Sequence, residues 1–200
     1  MTVSSTGIET PALLVATPQV KDPFFDHSVV LLLDHDEDGS FGFNLNRPTD
    51  LAIEEILQGL EIPWKGDPEI HAYFGGPVQP QLGSVLFGSA LETPLPDPGM
   101  TATATEVCPG IRMTQHVDDL ALLASRPPLG FRLYLGYAGW GAGQLVSEIL
   151  RNDWIVVPVV DELLFSNEPQ SIWGQALQAA GVDPQTLPSW TPDQSQTQAN

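Results

Sequence analysis

The sequence predicts a single α+β domain built on a mixed β-sheet, and the order of its apolar segments carries that prediction. Strand-length apolar runs dominate the first half of the chain, whereas strands and helices alternate only in the second half. A doubly wound parallel sheet would require that alternation throughout. With 200 residues, of which 42% are hydrophobic, the chain can build one core without disulfides or a structural metal.

Strand-like runs are separated by glycine, proline and acidic turn residues. The runs 28–33 and 41–45 form a predicted hairpin that reverses at Asp38-Gly39, because glycine adopts positive φ without steric cost. The proline-rich stretch 91–99 cannot be regular structure, so we expect a surface loop there. The predicted strands are 12–16, 28–33, 41–45, 70–74, 84–87, 101–107, 131–137 and 154–159.

Several segments have helical periodicity. After Pro48, apolar residues at i, i+3, i+4 and i+7 predict an amphipathic helix that Thr49 or Asp50 would cap. These apolar residues are Ile53, Ile56, Leu57 and Leu60. Further helices are expected at 115–124, 143–150 and 171–180, the last of which ends at Gly181.

Composition also predicts how the chain is divided. Residues 1–10 are expected to be a flexible N-terminus, residues 11–190 a single domain, and residues 191–200 a disordered tail, because the tail has no apolar residue larger than alanine. The sequence has one cysteine, no secretory signal and no apolar run of the length that spans a membrane. We therefore expect a cytoplasmic protein that is not integral to a membrane.

The charge of the chain is strongly negative. Seven Lys and Arg residues stand against 25 Asp and Glu residues, which gives a formal net charge of -18. The cations lie far apart in sequence, and the negative field would repel a nucleic acid duplex. Direct nucleic-acid binding is therefore disfavoured, and an acidic host proteome would produce the same composition.

Three features suggest chemistry, and each has a simpler structural explanation. Residues 34–39 match the start of a calcium loop, but position twelve is Leu45 instead of glutamate, so an acidic hairpin turn is favoured. The glycine-rich stretch 136–144 could cradle an anion before a helix, but it matches neither nucleotide motif and is better explained as a tight turn with Trp140 folded onto the core. Cys108 could be a nucleophile beside His116, although a lone cysteine is more often a small buried hydrophobe. No metal site and no cofactor are expected.

Several segments together resemble the bacterial YqgE/AlgH family, an intracellular group. The resemblance covers roughly residues 11–181 and has three motifs in order, of which the third is the most specific. These motifs are 25–30 with 42–48, then 74–78, and finally 136–145 with 148–149 and 152–154. The chain departs from the family pattern at Ala142, where proline is usual, and at Val146, where an acidic residue is frequent.

The resemblance implies an α+β fold whose mixed sheet is partly curled into a barrel, with helices packed outside. It implies no active site, and the family carries a transcriptional-regulator label that the charge argument does not support as direct DNA contact. We therefore expect a non-enzymatic regulatory or protein-interaction role.

The expected interaction surface combines three turns, at residues 46–48, 75–77 and 139–141, with the start of the helix that follows the third turn. Its partner would be a protein or a small molecule. The alternative is a small-ligand or nucleotide binder that uses the 136–144 turn, with Arg47 as charge partner and Trp140 as a stacking surface. A less favoured hypothesis is an enzyme built on Cys108, His116 or the acidic hairpin. The candidate surface residues are Asn46, Arg47, Gly75, Gly76, Gly139, Trp140, Gly141, Gln144 and Glu148.

Overall fold

The computed structural model describes residues 2–3, 7–88 and 103–183. Within these ranges the strands are β1 Thr2–Val3, β2 Glu9–Thr10, β3 Ala12–Ala16, β4 Val29–His35, β5 Gly39–Asn44, β6 Pro48–Ala52, β7 His71–Phe74, β8 Val78–Gly88, β9 Thr105–Cys108, β10 Ile111–Thr114, β11 Gly130–Gly141 and β12 Trp154–Pro158. The helices are α1 Ile53–Gln58, α2 Val117–Ser125, α3 Gln144–Leu150, α4 Asp161–Leu164 and α5 Pro169–Ala179.

One curled sheet of ten strands organises the domain, and a separate ladder pairs β1 with β2. The main path of the sheet runs β12-β3-β4-β5-β11-β8-β10-β9, and β7 joins β11 on a side branch that β6 extends. All strand pairs are antiparallel except β7 with β11, which are parallel, so the sheet is mixed. The predicted α+β fold with a partly barrel-like sheet is confirmed.

Strand β11 connects the two halves of the sheet. Its first half pairs with β8 along residues 130–135, whereas its last four residues pair with β5, from Ala138↔Gly42 to Gly141↔Gly39. The register shifts around Gly136, which has a φ of +67°. A residue with a side chain would be strained there, so glycine allows one strand to serve both halves.

Three apolar clusters fill the two faces of the sheet. One face, covered by α4 and α5, is packed with fully buried residues such as Leu13, Phe43 and Tyr134. On the other face, α1 and α2 cover one half and α3 covers the other half. These helices bury aliphatic side chains at helical spacing, as in Leu120, Leu123 and Ala124 of α2.

The glycine-rich stretch corrects one prediction. The strand does not end at Tyr137 but continues to Gly141, so the expected turn over 136–144 is wrong for most of its length. Four ladder pairs with β5 stabilise glycines that have poor strand propensity by themselves. The chain turns only at Ala142 and Gly143, where Gly143 has a φ of +69° and precedes α3.

The first helix begins later and ends earlier than its periodicity suggests. Strand β6 occupies the expected start, and the N-cap position is Ala52, so the prediction of a Thr49 or Asp50 cap is wrong. The Thr49 hydroxyl instead donates to the carbonyl of Ala72 at 2.8 Å, across to β7. Leu60 lies beyond the helix and is 49% exposed.

Four further short elements had no clear sequence signal. They are β1 and β2, of two residues each, and β10 and α4, of four residues each, which are too short to show a period. The proline-rich stretch 91–99 and the tail 191–200 lie outside the described residues, as does part of the expected flexible N-terminus. In the described ranges, no helix has both the length and the apolar composition needed to cross a membrane.

Candidate functional site

Asn46 holds the chain segment that precedes β4. Its side-chain oxygen accepts the backbone N–H of Val29 at 2.9 Å, and its side-chain nitrogen donates to the carbonyl of His27 at 2.9 Å. Asn44 adds a second amide that donates to the carbonyl of Phe24 at 3.2 Å. The asparagines therefore fix the backbone around residues 24–27, which we name the 24–27 segment.

Arg47 acts on the same segment. Its guanidinium donates to the carbonyl oxygen of Asp26, and its own carbonyl accepts the N–H of Phe74 at 2.8 Å. The cation thus lies against a backbone dipole inside the protein and is only partly exposed. Its structural role is to join the 24–27 segment to the end of β7.

Neighbouring aromatic rings pack against the side chains of Phe24 and Phe25. Phe24 stacks on Phe74 with ring centroids 5.6 Å apart, and Phe25 lies between Trp140 and Trp154 at 6.2 and 5.8 Å. Phe24 nevertheless remains 45% exposed. A large apolar ring is therefore presented to solvent in a fixed orientation.

His27 has the most unusual backbone of the segment. Its φ is +55°, a conformation that costs a residue with a side chain about 1–2 kcal/mol. The ring packs edge-on against Trp173 with centroids 4.5 Å apart, and Nδ1 lies 2.7 Å from Oδ1 of Asp26. The side chains of His27 and Asp26 stay 50% and 41% exposed, so both can reach a partner.

Gly75 and Gly76 bring the end of β7 against β11. The N–H of Gly75 donates to Leu135 and its carbonyl accepts the N–H of Asn44, at 2.8 and 2.9 Å. A Cβ on Gly76 would overlap the backbone of Tyr137 and Ala138. Close backbone approach is a sufficient reason for both glycines.

Trp140, Gln144 and Glu148 form a network of their own. One Glu148 oxygen accepts the indole N–H groups of Trp140 and Trp154, each at 2.8 Å, and the other accepts from Gln144 at 2.9 Å. The Gln144 oxygen accepts the N–H of Gly141 at 3.1 Å. This network anchors α3 to the sheet.

The structure brings together two of the three predicted turns. The chain at Asn46-Arg47 runs beside the chain at Gly75-Gly76, because Phe74 donates to Arg47 and Asn44 donates to Gly75. Residues 139–141, in contrast, are the end of a strand. Trp140 is buried as predicted, with 7% of its surface exposed, and its ring stacks on that of Phe25.

Sequence reasoning missed the exposed residues that these contacts support, namely Phe24, Asp26 and His27. The signal was present, because two aromatic residues followed by an ionisable pair in a loop are unusual. Motif residues drew attention to the glycines and asparagines, and of these Asn44 and Asn46 bond to the backbone of that segment.

The acidic hairpin is a turn, as the sequence predicts. The Oδ1 atom of Asp36 accepts the N–H groups of Asp38 and Gly39 at 2.8 and 3.0 Å, which closes the reversal. Among the described residues no group of three potential metal ligands converges.

Cys108 lies half-buried at the end of β9, and no hydrogen bond within the described ranges joins its thiol to His116. Burial, followed by the negative charges of Asp161 and Glu106, raises the pKa of the thiol. A raised pKa lowers the thiolate fraction, which is the opposite of what a nucleophilic cysteine needs.

Comparison with known proteins gives a consistent family. Residues 13–185 match the AlgH-like family model. A UPF0301 protein of Myxococcus xanthus is 38% identical over 178 residues, which are 88% of this chain and 93% of that protein. A UPF0301 protein of Cupriavidus metallidurans is also 38% identical, over 87% of this chain and 89% of that protein.

Two solved structures share the fold. The solution structure of the AlgH protein from Pseudomonas aeruginosa has a TM-score of 0.70 and 32% identity, and the match covers 90% of this chain and 93% of that one. A crystal structure from Corynebacterium diphtheriae has a TM-score of 0.69 and 26% identity, with 86% of each chain covered. The resemblance read from the motifs is confirmed, and the chain belongs to the AlgH-like family.

Proposed function

We propose that this chain is a non-enzymatic interaction protein that binds a protein partner through the 24–27 segment. One observation carries the proposal: the asparagine and arginine clamps fix a strained segment whose Phe24, Asp26 and His27 side chains remain exposed. A rigid exposed aromatic ring beside ionisable groups is typical of the residues that dominate binding energy at interfaces. Because the segment is already ordered, binding does not have to order it.

The chemistry of the segment favours binding over catalysis. His27 and Asp26 resemble the base and orienting carboxylate of a hydrolase, which would also require a nucleophile. Ser28, which follows them in sequence, is fully buried and donates its hydroxyl to the carbonyl of Phe24 at 3.2 Å. That hydroxyl is committed to the structure of the loop.

Strain at His27 also supports a functional role. A positive φ persists at a non-glycine residue only when surrounding contacts impose it, and such residues concentrate at functional sites. Here the carbonyls on both sides of the His27 α-carbon are held, that of Asp26 by Arg47 and that of His27 by Asn46. A regulatory role would follow from partner binding at this segment, without direct contact to a nucleic acid.

Photo-crosslinking in native host cells tests the proposal. Phe24→p-benzoylphenylalanine places the photoreactive group on the segment, and Leu60→p-benzoylphenylalanine is the matched control, because Leu60 is similarly exposed at 49%. We expect position 24 to give one discrete crosslinked adduct with a higher mass than the chain alone, and position 60 to give none. Equal labelling at both positions, or no adduct from position 24, would contradict the proposal.

A small-ligand function is the second candidate, and a cavity favours it. The cavity has a volume of about 680 Å³ and includes Phe41, Tyr137, Gly139 and Trp140 in its wall. Asp34 and Asp36 also line it, and in the described part of the chain no Lys or Arg does, so a neutral or cationic aromatic ligand fits better than a nucleotide. Quenching of Trp140 fluorescence by such ligands, compared with Trp140→Phe, tests this alternative.

A further inference from the structure

The main sheet stops short of closing into a barrel. Within the described residues, β12 at one end and β9 at the other end each pair with a strand on one side only. Both edges, with residues 7–12, line one cavity of about 920 Å³. An unpaired strand edge offers a row of backbone N–H and C=O groups to an added strand.

The β12 edge has little of the protection that edge strands usually carry. From Trp154 through Val160 the sequence contains no charged residue and four valines. Val156 is 39% exposed, and Pro158, which cannot donate a ladder hydrogen bond, stands only at the last position of the strand. A bare apolar edge of this kind promotes aggregation unless something covers it.

The cavity beside this edge is apolar inside and negative at its rim. Its apolar wall includes Val107, Val156 and Val157. Three exposed carboxylates, those of Glu9, Glu106 and Asp161, also line it, and among the described residues no Lys, Arg or His does so. Burial raises the pKa of Cys108, which lines the same cavity, and the charges of Asp161 and Glu106 raise it further.

Charge distinguishes among possible occupants of the edge. A second copy of this chain carries a net charge of -18, which would repel the rim. The parts of this chain outside the described ranges are 1, 4–6, 89–102 and 184–200, and none of them contains Lys or Arg, while the two longer ones contain acidic residues. A segment with basic side chains complements the rim, whereas these two occupants do not.

We propose that the β12 edge and its cavity bind an extended, basic segment of a partner polypeptide by strand addition. The added segment pairs along the five residues of β12, which span roughly 17 Å at about 3.3 Å per residue. Alternate side chains of the segment enter the apolar cavity, and its Lys or Arg residues face the rim carboxylates. This site is separate in sequence and chemistry from the 24–27 segment.

A displayed library of random peptides of about nine residues, long enough for one strand, supplies the probe. We expect selection on the full chain to enrich peptides that combine alternating β-branched residues with Lys or Arg. The most enriched peptide is then synthesised and its binding measured by fluorescence anisotropy. Amide chemical shifts should change at residues 105–108 and at 154–157 and 159, and N-methylation of alternate peptide bonds should abolish binding.

Two substitutions on the protein complete the test. Val156→Lys should abolish peptide binding, with Leu60→Lys as the matched control, because both residues are exposed. Asp161→Asn should weaken binding about two- to fivefold at low salt, whereas Asp50→Asn should not.

Several results would overturn the proposal. One is a peptide selection that enriches no sequence, or that enriches neutral or acidic peptides. A second is a set of amide chemical-shift changes that falls on residues outside β9 and β12. Another is self-association of the chain in sedimentation that Val156→Lys removes, since the second copy would then be the occupant. Binding that tolerates peptide N-methylation would point to side-chain recognition without strand addition.

Discussion

The indole N–H of Trp140 donates a 2.8 Å hydrogen bond to the carboxylate of Glu148, and both side chains are largely inside the protein. The same carboxylate oxygen accepts from Trp154, so one acidic residue of α3 ties together β11 and β12. Trp140 and Glu148, which the sequence places on the candidate surface, therefore stabilise the fold. The exposed 24–27 segment packs on the Trp140 and Trp154 rings through Phe25.

Removing this carboxylate should destabilise the protein. Glu148→Ala leaves two indole N–H groups without their acceptor, and we expect the free energy of unfolding to fall by about 2–3 kcal/mol. Urea denaturation followed by tryptophan fluorescence measures the change. Glu55→Ala, an exposed glutamate in α1, is the control and should change stability by less than about 0.5 kcal/mol. Equal stability of both variants would remove the structural role of Glu148.

Two glycines should respond to alanine in opposite directions. Gly76→Ala places a Cβ inside the backbone of Tyr137 and Ala138, so we expect the variant to fail to fold or to lose about 4 kcal/mol or more. Gly174→Ala lies within α5, where a Cβ meets no atom within 4 Å, and should stabilise the protein by about 0.5–1 kcal/mol. Thermal unfolding of the two variants compares these effects directly. A stable Gly76→Ala protein would contradict the close approach of β7 and β11.

Tyr134 has a buried hydroxyl that no described residue pairs, and its pKa is raised, chiefly by burial. Tyr134→Phe removes an unsatisfied polar group, so at neutral pH we expect no loss of stability and a gain of up to about 1 kcal/mol. A loss of more than about 1 kcal/mol in urea denaturation would show that the hydroxyl has a partner.

The same tyrosine predicts a difference in alkaline stability. The pKa of Tyr134 is higher in the folded than in the unfolded protein. The free energy of unfolding therefore keeps its full value below the ordinary pKa of 10.0 and decreases as the pH rises above it. Above that pH the free energy of unfolding of the wild type should fall more steeply than that of Tyr134→Phe, by about 1.4 kcal/mol per pH unit. Urea denaturation between pH 9 and pH 11 measures both slopes, and parallel curves would contradict the burial of the phenol.

Cys108 should be a slow nucleophile. Its raised pKa leaves less thiolate at pH 8 than an unperturbed cysteine has, so alkylation by iodoacetamide should be slower than that of a small free thiol. The double variant Glu106→Gln, Asp161→Asn should react about two- to fivefold faster than the wild type, a modest gain because solvent screens exposed carboxylates. Asp50→Asn is the control. Alkylation faster than that of the free thiol would restore the cysteine as a catalytic candidate.

Much of the fold could be predicted because its core elements have strong local patterns. The buried run Ala12–Ala16 and the hairpin of β4 and β5 appear as apolar segments around a turn that glycine and aspartate favour. The extension of β11 through Gly141 could not be predicted in this way. Glycine has no side chain to show a period, and what stabilises that extension is pairing with β5, which is distant in sequence.

The candidate site was predicted only in part for a related reason. The side chains of Asn46 and Arg47 bond to a different segment, the one that contains Phe24 and His27, whereas Gly75 bonds to Leu135 and Asn44. Which backbone carbonyl a side chain will hold depends on tertiary packing, and sequence spacing does not encode it.

The most direct test of the account is the crosslinking yield at position 24 in two backgrounds, wild type and Asn46→Ala. Loss of the Asn46 side chain frees the carbonyl of His27 and the N–H of Val29, which should lower the free energy of unfolding by about 1–3 kcal/mol. Circular dichroism should show that the variant still folds. We predict that the adduct from Phe24→p-benzoylphenylalanine disappears when Asn46 is replaced, because a mobile segment no longer presents the ring. An undiminished adduct in a folded Asn46→Ala protein would contradict the claim that a clamped 24–27 segment is the binding site.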